Sequence, residues 1–165
     1  EPLDLIGLYN TASQLNIVGR QQEAAETYRQ LLELNPQDWG THTQLALIML
    51  DQGRLDEAWT ELELEVDPQQ QEWGQLMALH SMERTEEANQ RLQAFIEEHQ
   101  SWASPLIAMV YAWRNEPDQA FEWLNRALQE RDSNLPAMVW EPIFADLRPD
   151  PRWGELIEAM GLEEQ

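Results

Sequence analysis

Apolar residues recur along this chain with the spacing of helices. From Gly19 the sequence reads GRQQEAAETYRQL, from Gly53 GRLDEAWTELELE, from Glu83 ERTEEANQRLQAF and from Asn115 NEPDQAFEWLNRA. Each stretch opens with a turn, passes an acidic residue and an alanine, and sets bulky apolar residues four and seven positions later. The alanines are Ala24, Ala58, Ala88 and Ala120. The residues that follow them are Tyr28 and Leu31, Leu62 and Glu65, Leu92 and Phe95, Leu124 and Ala127. An i, i+4, i+7 spacing places these on one helical face, and the alanine is small where a neighbouring helix must come close. Glu65 departs from the series, standing at a normally apolar position.

A second amphipathic segment precedes each of these helices. Leu8, Ala12 and Leu15 share a face of the first, and Leu45, Ala46 and Met49 a face of the second. Leu76 and Leu79, then Ile107, Ala108 and Tyr111, continue the series. Gly19 and Gly53 fall where a helix must end in a left-handed turn, and Asn115 is the next best residue for that conformation. Glu83 is the exception, and predicts a less regular third turn. Pro36 and Pro68 follow helix ends, where proline stops propagation. The expected architecture is all-α: a right-handed superhelical solenoid of four helix pairs at about 5–38, 39–68, 69–100 and 101–132.

Residues 1–132 therefore form the repeats, and residues 133–165 a C-terminal helical cap. The tail SNLPAMVWEPIFADLRPDPRWGELIEAMG abandons the period. Its X-Pro steps at Pro136, Pro142 and Pro149 disfavour a long helix, and Pro151 suits a first helical turn. Trp153, Leu156, Ile157 and Met160 predict a short amphipathic helix from about Pro151 to Met160. A last repeat needs its apolar side covered, so Trp140, Ile143, Phe144 and Trp153 are expected to be buried against the fourth pair. A tail that instead enters the inner groove is the alternative.

The four stretches resemble the tetratricopeptide repeat, a family with a period of about 34 residues; here the alanines recur at intervals of about 30–34. The resemblance covers roughly residues 5–131, departing from the family at the short second repeat, at Glu65 and at the missing proline near Gln100. It implies an interaction scaffold. The tail stretches WLNRALQERDSNL and DLRPDPRWGELIEAMGL resemble the ends of repeat modules in bacterial signalling proteins, which carry winged-helix regulators, nucleotide cyclases or serine/threonine kinases. Some family members grip a chaperone's C-terminal carboxylate with lysine and arginine on the inner curve. Here the corresponding face has neither, which argues against such a clamp.

Charge narrows the partner. Thirty-one acidic and ten basic residues give a net charge of -21, and every basic side chain is arginine. Such a field repels nucleic acid and anionic membranes and favours basic or apolar partners. The acidity itself reads first as a solvated surface. No cysteine is present, so disulfides and thiolate metal sites are absent and the compartment stays open, cytoplasmic or periplasmic. No apolar run reaches the roughly 18 residues of a membrane helix. The chain opens on Glu1, so it is expected to be an excised domain or a processed product. His42, His80 and His99 lie in different repeats without ligand spacing, and no phosphate loop or nucleophile elbow occurs. No enzyme activity, metal or cofactor is expected, and the chain should be a monomer or weak homo-oligomer.

Binding is then the expected role, as a protein–protein interaction module whose apolar, aromatic, acid-framed concave groove takes a peptide or helix. By spacing, the inner face of the first helices carries Tyr9, Ser13 and Asn16; Thr43, Leu47 and Leu50; Trp73, Met77 and His80; Met109 and Trp113. Aromatic and methionine side chains suit such surfaces. Trp59 and Trp123, beside the packing alanines, are expected in the core. The second reading is a sensor or regulatory domain of a larger signalling protein.

Overall fold

The computed structural model describes residues 4–162, so Glu1–Leu3 and Glu163–Gln165, the outermost parts of the expected repeat and cap segments, lie outside the described residues. The described chain is helical and contains no strand. Eight helices come first: α1 (Leu5–Ile17), α2 (Gln21–Leu34), α3 (Thr41–Asp51), α4 (Leu55–Leu64), α5 (Pro68–Ser81), α6 (Thr85–His99), α7 (Ser104–Trp113) and α8 (Pro117–Glu130). Three short elements follow: α9 (Leu135–Met138), a 3-10 segment (Pro142–Leu147) and α10 (Pro151–Ala159). The chain forms two compact units, one ending at Ala88 and one beginning at Asn89, so the division falls inside α6.

One turn joins the two helices of every pair. Its central residue is left-handed: Gly19 (φ 78°), Gly53 (72°), Glu83 (59°) and Asn115 (55°). The same two backbone bonds close each copy. Gly19 N–H donates to Asn16 O and Arg20 N–H to Leu15 O; Gly53 and Arg54, Glu83 and Arg84, and Asn115 and Glu116 repeat this with Leu50 and Met49, His80 and Leu79, and Ala112 and Tyr111. These bonds satisfy carbonyls that a helix end leaves orphaned. The third turn is thus as regular as the others although Glu83 stands in it. Arginine follows the left-handed residue in three copies, and Arg20, Arg54 and Arg84 pair with Glu23, Glu57 and Glu87 in the first turn of the next helix. Carboxylates there also meet the positive end of the helix dipole.

In the first unit α1 packs on α2 and α3 on α4, while α3 also lies against α2 and α5. Ala24 and Ala58 are fully buried, as are Tyr28, Leu31 and Leu62 on the same faces. The edge of the Tyr9 ring meets Tyr28, with centroids 5.7 Å apart. Gly74, in mid-α5, marks a close approach. A Cβ there would overlap Leu62 Cδ2 and lie 3.1 Å from Thr43 Cγ2, so α5 seats directly on α3 and α4.

Glu65, the misfit of the repeat pattern, is buried at the end of α4. One carboxylate oxygen accepts from the backbone N–H groups of Gly40, Val66 and Asp67, each at 3.1 Å. The other accepts from Thr43 N–H at 3.1 Å and the Thr43 hydroxyl at 3.2 Å. Gly40 and Thr43 belong to the first turn of α3, whose donors have no helical partner. Glu65 therefore caps α3 from another helix and fixes the α4–α5 link to it.

In the second unit α7 packs on α8, with Ala120, Phe121, Leu124 and Ala127 buried. The 3-10 segment lies against α7, and α10 touches α8. Proline opens each tail element, at Pro136, Pro142 and Pro151. Phe144 and Trp153 are buried with ring centroids 5.9 Å apart, whereas Trp140 and Ile143 are only half-buried, contrary to expectation. Arg152 lies 4.3 Å over the Phe121 ring and pairs with Asp150 and Asp118, tying α10 to α8.

Candidate functional site

The first helix of each pair carries the candidate contact residues, and their exposure divides them. In the first unit Tyr9 and Asn16 on α1, Leu47 on α3 and His80 on α5 are half-buried. Thr43, Leu50 and Met77 are buried, and Trp73 is 3% exposed. In the second unit Trp113 is half-buried and Met109 buried. Thr43, Leu50, Trp73, Met77 and Met109 are therefore closed to a partner docking on this conformation, a correction to the groove read from the sequence.

Packing supplies the reason. Thr43 is spent internally, its hydroxyl between Glu65 and the Gln70 carbonyl at 3.2 Å and its methyl facing Gly74. Met109 belongs to α7, which packs against both α8 and the 3-10 segment. A helix that is apolar on every side is enclosed rather than half-solvated. Most side chains of α3 and the middle of α5 and α7 follow that rule.

Two tryptophans expected in the core lie at the surface. Trp59 is half-buried; its indole N–H donates to Glu63 at 3.0 Å and the Arg84 guanidinium stands 5.6 Å from its ring centre. Trp123 is likewise half-buried beneath Arg126 at 4.8 Å. Each flat ring shields a helix face while an arginine covers it, a favourable cation–π arrangement. Of the histidines, the His42 ring nitrogen Nδ1 lies 2.8 Å from a Glu61 oxygen. His99 is buried with its ring beside Phe95 and Trp102. No group of three or more metal-ligating side chains gathers among the described residues.

One carboxyl is tuned. Glu141, at the start of the 3-10 segment, is pushed up to about 7 by burial. Among the described residues no hydrogen bond or ion pair reaches its carboxylate; the nearby Arg148 donates instead to the Trp140 and Glu141 carbonyls. Sequence reasoning missed this residue, since nothing in a lone glutamate before a proline announces burial. It also missed Glu65's clamp, though the misfit was visible, and an exposed apolar cluster around Trp39.

Helix pairs closed by one repeated turn, with alanine at each pair's contact, define a helical-repeat protein. Residues 27–60, from the middle of α2 into α4, match the family model for the tetratricopeptide repeat. No curated protein and no solved structure matches the chain. Tetratricopeptide repeats serve in general as non-catalytic scaffolds that bind proteins or peptides. Among the described residues, no helix is long and apolar enough to cross a membrane.

Proposed function

We propose that this module binds a basic or apolar peptide or helix through the half-open positions of its first helices. Tyr9, Asn16, Leu47 and His80 serve in the first unit, and Trp113 in the second. The supporting observation is Leu47. It is a large aliphatic side chain left half-open on a helix whose neighbouring positions are closed. Residues 30–53 and 55–83 contain no arginine, so nothing there would repel a cationic partner. Acidic partners and nucleic acid are disfavoured by the same field. Residues 1–132 are the binding repeats, and residues 133–165 close the last pair rather than occupy a groove. The same surface would serve a regulatory domain of a larger signalling protein, the reading suggested by the tail sequence.

Selection of random displayed peptides on the isolated chain tests the reading. The selected sequences should be rich in arginine, lysine and large apolar residues. Affinity should fall at least tenfold for Leu47→Glu with peptides held by the first unit and for Trp113→Ala with peptides held by the second, since truncating an anchor costs about 2 kcal/mol or more. Peptides indifferent to both substitutions would place binding elsewhere.

A further inference from the structure

Four large apolar side chains stand open around the two connections that link successive helix pairs in the first unit. Leu34 ends α2 and Trp39 lies in the α2–α3 connection; they are 46% and 59% exposed. Leu64 ends α4 and Val66 begins the α4–α5 connection; they are 55% and 39% exposed. Exposed apolar residues grouped on a surface are a common mark of an interaction site.

The Glu65 clamp ties the two connections to each other. Its carboxylate bonds Gly40, the neighbour of Trp39, while Leu64 and Val66 flank Glu65 in the chain. Asn35 and Asp38 fold the first connection back on itself. The Asp38 N–H donates to the Asn35 carbonyl and the Asn35 amide to the Asp38 carboxylate, both at 3.0 Å. Leu34 and Trp39 therefore bracket a fixed turn. Side chains held by a rigid frame lose little entropy on binding.

Charge selects the occupant. Glu33, Asp38, Glu63 and Asp67 adjoin the four apolar residues in sequence, and arginine is absent from residues 30–53 and 55–83. A second copy would bring the same carboxylates and a net charge of -21 against them. An anionic membrane is repelled for the same reason. We propose that the Leu34, Trp39, Leu64 and Val66 surface docks a protein segment whose apolar side chains are flanked by arginine or lysine. The site shares the partner chemistry proposed above but uses the connections rather than the first-helix positions, so either can fail alone.

The test uses the whole chain and two labelled synthetic peptides, an amphipathic leucine–arginine peptide and its serine–arginine counterpart of equal charge. Fluorescence anisotropy at physiological salt should show the leucine–arginine peptide binding at least tenfold more tightly than the counterpart. The double variant Trp39→Ser/Leu64→Ser should lose at least tenfold of that affinity, whereas Val18→Ser, at an exposed apolar position outside both proposed sites, should change it less than twofold. If the double variant melts early, Trp39→Ser alone, at a position already more than half in water, replaces it with an expected loss of at least threefold. Equal binding of both peptides, or of wild type and patch variants, overturns the proposal. So does a loss with Val18→Ser equal to that of the patch variants, or self-association in sedimentation that the patch variants abolish, which would make a second copy the occupant.

Discussion

At the α4–α5 junction the Glu65 carboxylate meets five hydrogen-bond donors, four of them backbone N–H groups. In the tail, the Glu141 carboxylate meets none among the described residues, and burial pushes its carboxyl up to about 7. Only one of the two glutamates has been given a structural task. Withdrawing a carboxylate from water is costly unless donors replace the lost hydration. Glu65 receives them from the unsatisfied start of α3, so a requirement of the helix end and a requirement of the acid cancel. Glu141 has no such donors among the described residues, and burial raises its pKa instead.

The largest expected effect is therefore at Glu65. Glu65→Ala removes the acceptor from Gly40, Thr43, Val66 and Asp67 together. With each buried unsatisfied group costing about 1–3 kcal/mol and water relieving some, the loss should be about 3 kcal/mol. Glu65→Gln, which keeps one acceptor oxygen and turns an amide toward donors, should lie between it and wild type. Urea denaturation measures both; an alanine variant as stable as wild type would remove the clamp from the account of the fold.

Glu141→Gln should act in the opposite direction and depend on pH. The folded-state value of about 7 lies above the ordinary carboxyl value of 4.5. Folding thus favours the protonated form, and this contribution is complete below about pH 4.5 and lost as pH rises through 7. The amide carries no charge to lose. At pH 8 the variant should exceed wild type by about 1–2 kcal/mol after allowance for solvent screening, with the gap closing toward pH 5. A gap that stays constant with pH would show that ionisation of Glu141 is not its source.

Gly74→Ala tests how tightly the neighbourhood of Glu65 is built. The new methyl would press on Leu62 and Thr43, both fully buried, and Thr43 supplies two of the five donors. Overpacking costs about 1–3 kcal/mol, and the better helix propensity of alanine returns about 1. A net loss of about 1 kcal/mol is expected in thermal melts. A gain would mean that Leu62 has room to turn away.

How much of this was legible follows from what periodicity encodes. Ala24, Ala58, Ala88 and Ala120 fix the helix pairs because one small residue at one phase serves one purpose, and all four are buried. The phase also groups residues on one face of each first helix, but it does not report how many neighbours cover that face. Trp73 and Met77 sit at the predicted phase and are closed, because α3 and α5 pack directly together where Gly74 permits. Trp59 and Trp123 fail in the converse way: beside a packing alanine, a large ring need not enter the core if an arginine can cover it. The Glu65 misfit was visible without its meaning, since its donors come from as far as 25 residues away along the chain.

The smallest effect concerns a third out-of-place glutamate. Glu83 holds the left-handed position that glycine occupies in the first two turns, with φ 59° against 78° and 72°. Its two backbone bonds match those of the glycine turns. The turn is therefore imposed by the helices on either side, and the side chain bears the steric cost, about 1–2 kcal/mol for a residue with a Cβ. Glu83→Gly removes that cost but gives the unfolded chain more freedom, which offsets part of the gain. It also takes one carboxylate from a chain of net charge -21. A stabilisation of about 0.5–1 kcal/mol is expected. The reverse exchange, Gly53→Glu, places a side chain where no atom lies within 4 Å of its Cβ, so its cost is that of backbone conformation and added charge alone. It should lose about 1 kcal/mol. If Glu83→Gly lowers the melting temperature while Gly53→Glu also lowers it, Glu83 makes a contact worth more than its strain, and it joins Glu65 as an acid with a task.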